Sequence, residues 1–382
     1  MVEIDNATSS EIVTHAIDPA RGKTQLPASS PSRQEYDFVF VTHLPSFYKV
    51  NLYEKLAERG RLLAIFVGAT STARTPDFVA NPAAFDHVFL SSGSVERRPA
   101  LATLWRLWRL LRTVRSRTLF VGGWDLPEFW VGLLAARCTR GMVMETTGLG
   151  VEPSGVKSAI KRLALSLTDI VMASGNMHAD FVRRLGFRGR VFVTRGVGII
   201  NKHSEPPPPT ARGYGKQFLY VGRLAPEKNI DFLFSLFKRL APDGFGLTVA
   251  GGDRVCRDGN IHHVGYQPND RLPSLLAEHD FLILPSLSEP WGLVVEESLF
   301  CGTPVVLSKA CGASELIEPG GNGLFLDTTS IEAAALQLLG IDADTARSMR
   351  AACGPAMIDA KDAGQVFSYV EALNAVSPQS PS

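Results

Sequence analysis

Nowhere does this 382-residue chain hold the ~18 consecutive apolar residues that a membrane-crossing helix requires. It also lacks a dominant charge: 39 Lys and Arg stand against 38 Asp and Glu, and a net charge of +1 gives no bulk attraction to nucleic acid. Cysteine is sparse. The five residues (Cys138, Cys256, Cys301, Cys311, Cys353) include no Cys-x-x-Cys pair, and their odd number and scatter fit reduced thiols rather than a disulfide framework. The start, Met-Val-Glu-Ile-Asp, shows neither the positive region nor the apolar core of a signal peptide, so a cytoplasmic protein is expected. No Gly-x-Gly-x-x-Gly follows the first β-rich run, Asp37–Thr42. His43-Leu-Pro-Ser-Phe-Tyr48 stands there instead, which argues against a dinucleotide-dependent dehydrogenase.

What is present is an ordinary globular composition, 45% hydrophobic and 20% charged, long enough for two or three domains. Residues 1–35 are rich in Ser, Thr, Pro and Ala without periodicity and are expected to form a disordered tail. From Asp37 onward, strand-like runs at 62–67, 118–121, 142–145, 170–173 and 191–194 alternate with helical patterns such as 50–59 and 176–185. That alternation is the pattern of βαβ units in a parallel sheet. Pro206–Pro209, with Gly213 and Gly215 close behind, interrupts it and marks a linker over 201–216. The alternation restarts with runs at 218–221, 247–250, 261–264, 281–284, 305–307 and 323–326. The expected architecture is therefore α/β, with two Rossmann-like doubly wound domains, 36–200 and 217–360, facing each other across a cleft. A terminal segment, 361–382, would pack a helix back toward the first domain.

Two segments of the second half carry chemistry. In Phe281–Phe300 a buried strand runs through a Ser/Pro turn to Glu289, and a helix starting near Gly292 carries Glu297 eight positions later. Helix amino-termini beyond the carboxyl ends of strands offer N–H groups to anions, and flanking acids suit a ligand with a phosphate centre and hydroxyl-rich ends. In Phe218–Asn229 a strand ends at Val221, Gly222 permits a turn, and Arg223 and Lys228 follow around a Pro-containing loop. Both side chains can converge on one diphosphate, although such a pair also suits a solvated loop at a helix start.

Taken together, these segments resemble the family 4 glycosyltransferases of the GT-B fold. The resemblance rests on Gly222-Arg223-Leu224 with Glu227-Lys228, on Glu289-Pro290-Trp291-Gly292-Leu293 with Glu297, and then on Cys301–Val306 and Gly312–Glu315. It covers most of 217–327, in order. The first half matches less specifically, through His43-Leu44-Pro45 to Tyr53 and through Val121-Gly122-Gly123. The resemblance implies a retaining, metal-independent hexosyltransferase that needs no cofactor beyond its co-substrate, a UDP- or GDP-sugar. It implies that Arg223 and Lys228 neutralise the donor diphosphate, that the N–H groups of Gly292, Leu293 and Val294 hold phosphate, that Glu297 binds the ribose, and that Glu289 orients the hexose. Trp291 replaces a more usual Phe. Tyr266, after Gly265, is a candidate contact for the base. The acceptor implied is a glycan or a polyprenyl-diphosphate-linked sugar of bacterial cell-surface polysaccharide synthesis.

The acceptor side is less legible. A histidine that many relatives carry after a mid-domain strand is absent, and Met144-Glu145-Thr146 stands there. Glu145 is either an acceptor ligand or base, or a hydrogen-bonded strand-end residue. His43 and Trp124 are further acceptor-side candidates, with a structural histidine as the other reading of His43. Glu296 reads as a charge beside a helix dipole. Adjacent His262 and His263 on a strand face opposite ways, so no zinc site is expected, and Asp342-Ala-Asp344 reads as a helix cap. Residues 97–117 hold seven arginines and no acid, with Leu101, Leu104, Trp105, Trp108 and Leu111 at helical spacing. They read as a basic amphipathic helix, docked either on the sheet or on the inner face of an anionic plasma membrane, and Lys157, Lys161 and Arg162 would extend that patch. Two alternatives share the donor features: a GT-B sugar-nucleotide epimerase, and a non-catalytic nucleotide-sugar-binding partner.

Overall fold

The computed structural model describes residues 35–82, 84–148, 155–202 and 213–375. In the first half, β1 (Glu35–Thr42), β2 (Leu62–Phe66), β3 (Asp86–Phe89), β4 (Arg115–Val121), β5 (Thr139–Met144), β6 (Ile170–Ala173) and β7 (Arg190–Val193) form one parallel sheet in the order β3-β2-β1-β4-β5-β6-β7. Every residue of β2 and β6 is buried, as expected for strands covered on both faces. Helix α1 (Phe47–Ala57) covers one face, where Tyr53 stacks on Phe40. Helices α2 (Ala100–Leu111), α3 (Pro127–Ala135), α4 (Gly155–Ser166) and α5 (Asn176–Arg184) cover the other through Leu107, Phe129, Ala164 and Phe181.

The second sheet runs β10-β11-β9-β8-β12-β13-β14. Its strands are β8 (Gln217–Val221), β9 (Gly246–Ala250), β10 (Val255–Asp258), β11 (Ile261–Gly265), β12 (Phe281–Leu284), β13 (Val305–Leu307) and β14 (Gly323–Phe325). All pair in parallel except the β10–β11 hairpin. Helices α6 (Ile230–Leu240), α7 (Leu272–Ala277), α8 (Leu293–Phe300), α9 (Ile331–Leu339), α10 (Ala343–Ala351) and α11 (Pro355–Asn374) complete this half. The edge strands β3 and β10 are additions to the sequence reading. Their compositions, Asp-His-Val-Phe and Val-Cys-Arg-Asp, lack the apolar run that marks a central strand.

Helix α11 joins the halves. Near its start, Lys361 reaches Glu296 of α8 at 2.7 Å and the carbonyl of Gly198 at 3.2 Å, while Tyr369, Ala372 and Leu373 enter the core under α1. It begins six residues before the expected boundary at 361, with Pro355 as its first residue. Two carboxylates also cross the cleft. Asp77 accepts from the backbone N–H of Asn269 at 3.2 Å, and Glu315 accepts from the backbone N–H of Asn176 and from its Nδ2.

Several expectations are revised. Glu35 opens β1, whereas the rest of the expected 1–35 tail lies outside the described residues, as do 203–212 of the expected linker. The basic helix is confined to 100–111. Thr113 and Val114 end it, and Arg115 and Arg117 belong to β4. Arg98 is not a surface charge, because it pairs with buried Glu128 at 2.7 Å. The apolar stripe divides: Leu107 and Leu111 pack on the sheet, while Leu101, Trp105 and Trp108 remain 86%, 57% and 43% exposed. Among the described residues no helix is long and apolar enough to cross a membrane.

Candidate active site

The carboxyl ends of both sheets open on one cleft of about 790 Å3. Its second-half wall is built by strand adjacency. Because β8 and β12 are neighbours, the loops that follow them run side by side, and the N–H of Leu287 donates to the carbonyl of Glu227 at 2.8 Å. Asn229, in a left-handed conformation, donates through Nδ2 to the carbonyl of Pro285 at 3.3 Å. This apposition brings Lys228 onto Glu289, 61 positions later, as a half-buried ion pair facing the cleft. Buried Tyr220 donates its hydroxyl to the carbonyl of Arg223 at 2.8 Å, fixing the turn at Gly222. The Arg223 guanidinium is mostly exposed and reaches Glu227 at 3.1 Å.

Gly292 caps α8 with φ +94°, a conformation that disfavours any side chain, and Gly292, Leu293 and Val294, whose N–H groups begin the helix without an intrahelical partner, line the cleft. The loop after β13 closes behind them. Gly312 there passes so near Pro290 that a Cβ would lie 2.1 Å from its carbonyl oxygen. Glu296 is not a surface charge beside the helix dipole: it is fully buried, accepting from Lys361 and, at 2.5 Å, from the indole Nε1 of Trp291. That bond gives Trp291 a task a Phe cannot perform.

Glu297 and Tyr266 do not line this cleft. Glu297 borders a separate, small cavity with Asn201, Asn269 and Cys301, and the exposed Tyr266 phenol is pushed above its ordinary value by partial burial and by the neighbouring Asp77 carboxylate. Burial, helped by the neighbouring charge of Glu296, raises the Glu297 carboxyl from 4.5 to about 7. A raised carboxyl pKa favours the folded state while protonated, so the stability it contributes below about pH 4.5 is lost as pH rises through about 7. Glu297→Gln is therefore expected to flatten the fall in Tm between about pH 5 and about pH 8. Parallel Tm profiles for the two proteins would refute this.

On the first-half wall stand His43 after β1, Trp124 and Asp125 after β4, and Glu145 after β5. Asp125 was not singled out from sequence, although it follows the strand–Gly–Gly signal of Val121–Gly123. Its Oδ2 lies 2.7 Å from Nε2 of His43; burial opposes its ionisation, but the histidine holds its pKa below the usual carboxylate range. Glu145 is 3.0 Å from Nζ of Lys49, a buried residue of α1 also missed from sequence. Burial works against the Lys49 ammonium, yet Glu145, with Tyr48 and Tyr53, carries its pKa above the ordinary value. Lys161 lies 5.5 Å over the Trp124 ring. His178 is buried, and burial lowers its pKa to about 4.

Among the described residues no group of three or more His, Cys, Asp or Glu could hold a metal ion. His262 is exposed and His263 buried on opposite sides of β11, and Asp342 caps α10 by accepting from the N–H of Thr345 at 2.7 Å.

The family model described as Glycosyl transferases group 1 matches residues 202–356. The chain is 30% identical over 136 residues to O-antigen chain mannosyltransferase B of Escherichia coli, covering 32% of this chain and 35% of that protein. It is 33% identical over 152 residues to glycogen synthase of Mycobacterium tuberculosis, covering 36% and 37%. It thus spans about a third of the length of these curated relatives. The fold is that of GT-B proteins. Anabaena HepE, solved with UDP and glucose, superposes with a TM-score of 0.65 at 15% identity, covering 89% of this chain and all of that one. The sucrose-phosphate synthase of Thermosynechococcus elongatus does so with 0.65 at 18% identity and the same coverage.

Proposed function

We propose, from the match of residues 202–356 to the model of the glycosyl transferases group 1, that this protein transfers a hexose from a UDP- or GDP-sugar to a glycan or a polyprenyl-diphosphate-linked sugar, with retention and without a metal. The observation that carries the reading is the second-half wall: Lys228 on Glu289, Arg223 nearby along the same loop and the amino-terminus of α8 three residues after Glu289, all lining one cleft. In this reading the cations and the α8 N–H groups meet the charge that develops on the departing diphosphate, and Glu289 holds hydroxyls of the hexose. The reading assigns the ribose to Glu297 and the base to Tyr266, although neither side chain lines the cleft in this structure. Relatives acting on O-antigen and glycogen, and a neighbour solved with UDP and glucose, support a nucleotide-sugar donor and a polysaccharide setting. The test is turnover of a panel of UDP- and GDP-sugars by the purified chain, alone and with a bacterial lipid extract. Donor binding with neither transfer nor hydrolysis would favour a binding protein instead, and conversion of the free sugar-nucleotide would favour an epimerase.

The reading includes peripheral contact with an anionic membrane on the cytoplasmic side. Exposed Leu101, Trp105 and Trp108 support it, with Arg109 and Arg112 lying 5.3 Å and 4.7 Å over the two indoles. Arg106 is less suited to the role because it is held by the carbonyl of Leu90. Co-sedimentation with phosphatidylglycerol vesicles is expected and should fall at least about tenfold when Arg109 and Arg112 become Glu. Equal binding of both proteins, or of neither, would remove this part.

A further inference from the structure

We propose that Glu145 is the nucleophile of a two-step transfer, taking the hexose as a covalent ester before the acceptor receives it. The inference rests on the glycosyl-transfer reading above, including its retention. Two successive inversions at the anomeric carbon give net retention, and they need a carboxylate on the face opposite the departing diphosphate. That reading puts the diphosphate on the second-half wall, with Lys228, Arg223 and the start of α8. The nucleophile must then come from the first-half wall of the same cleft.

Among the described residues of that wall the carboxylates are Asp125 and Glu145. Asp125 is 57% exposed, and its Oδ2 is occupied by His43 at 2.7 Å. A glycosyl ester formed there would stand open to water. Glu145 is 26% exposed, and its buried Oε1 lies 3.0 Å from Nζ of the buried Lys49. Oε2 is therefore the oxygen placed to attack. The Lys49 ammonium also suits the second step, in which negative charge returns to the carboxylate beside it.

Glu145 also stands close to the donor wall. The buried ring of His178 lies beside the backbone carbonyls of both Glu145 and Pro290, and 6.4 Å from the ring of Trp291. One imidazole thus bridges Glu145 to the residue that follows Glu289, and Glu289 is the group assigned to the hexose. The two glutamates flank the place where that sugar would sit, one on each half.

Both steps balance. In the first, a lone pair of Oε2 forms the bond to the anomeric carbon. The bond from that carbon to the diphosphate oxygen breaks, and its electron pair leaves with the nucleoside diphosphate. In the second, a lone pair of the acceptor hydroxyl forms the new glycosidic bond from the side the diphosphate vacated. The ester bond breaks, its electrons return to the Glu145 carboxylate, and the hydroxyl proton passes to a terminal phosphate oxygen of the nucleoside diphosphate.

The experiment uses the full chain and whichever nucleotide-sugar the wild type turns over, with donor binding followed by calorimetry. Glu145→Gln is expected to lower kcat at least about 1000-fold while donor Kd stays within about threefold, which also shows that the variant folds. Acid-quenched wild type should carry one hexosyl group on the peptide containing Glu145, seen by mass spectrometry. In Glu145→Ala, azide should enter the vacated space and yield a glycosyl azide of inverted configuration, seen by NMR. A carboxylate that only positions other groups would give neither the ester nor the azide product. Near-normal kcat in Glu145→Gln, or a lowered kcat with both covalent products absent, would overturn the assignment while leaving glycosyl transfer intact. A wild-type product of inverted configuration would overturn the assignment together with the retention. A wild type that turns over no nucleotide-sugar would overturn the transfer reading as well.

Discussion

Lys228→Ala and Glu289→Ala should each lower kcat/KM by at least ~100-fold with the donor the wild type uses, the scale of losing a group that meets developing charge. The two effects have different origins. In the free protein the pair neutralises itself across the loops after β8 and β12. Removing Lys228 takes away the cation facing the leaving group and also leaves Glu289 unpaired beside an anionic ligand, so both KM and kcat should suffer. Removing Glu289 leaves the cation free for the diphosphate, so the loss should fall mainly on kcat, through a poorly oriented hexose. Lys228→Arg is expected to recover only part of the rate, because a planar fork does not replace a compact ammonium in a half-buried site. Steady-state kinetics with calorimetric donor binding decide the matter. Rates within about threefold of wild type in both alanine variants would sink the donor-site assignment.

The largest effect on stability is expected at Lys361, outside the cleft. Its ammonium is buried with the Glu296 carboxylate at 2.7 Å and with Asp362 at 2.7 Å. Burial opposes ionisation of both Lys361 and Glu296. The carboxylates still carry the Lys361 pKa above its ordinary value, whereas for Glu296 burial prevails and its pKa is raised. Deleting one member of such a pair leaves the other buried and uncompensated, so Lys361→Ala should cost about 3–5 kcal/mol in urea unfolding. Combining Lys361→Met with Glu296→Leu should return most of that, less about 1–3 kcal/mol for the Trp291 indole N–H left without its acceptor. A Lys361→Ala cost under about 1 kcal/mol would show that the pair is solvated rather than buried. The consequence reaches function as well, because this contact fixes α11 to α8 before the helix crosses onto the first half.

Much of this was legible in the chain because it is local. Runs such as Phe281–Leu284, buried at every residue, identify central strands, and Pro206–Pro209 interrupts the alternation that precedes and follows it. Gly292 and the acids eight apart around it mark a helix start suited to phosphate. The edge strand β10 was not legible, since a strand exposed along most of its length needs no apolar pattern. The extent of the basic helix was misread for a related reason. Arginines occur equally well on α2 and on the outer part of β4, and nothing in their spacing separates the two.

By itself the sequence determined the class of fold, the two doubly wound halves and the charged loop motifs of the second half, because each depends on periodicity and turn chemistry within a few dozen residues. Only the tertiary structure decided which groups meet. Lys228 reaches Glu289 because β8 and β12 are neighbours in the sheet, and His43 reaches Asp125 because β1 and β4 are. Strand order in an open sheet is set by how helices pack on its two faces, and no residue spacing along the chain encodes it directly. The same packing buried Glu296 against Lys361, and left Glu297, its immediate neighbour, beside a different cavity.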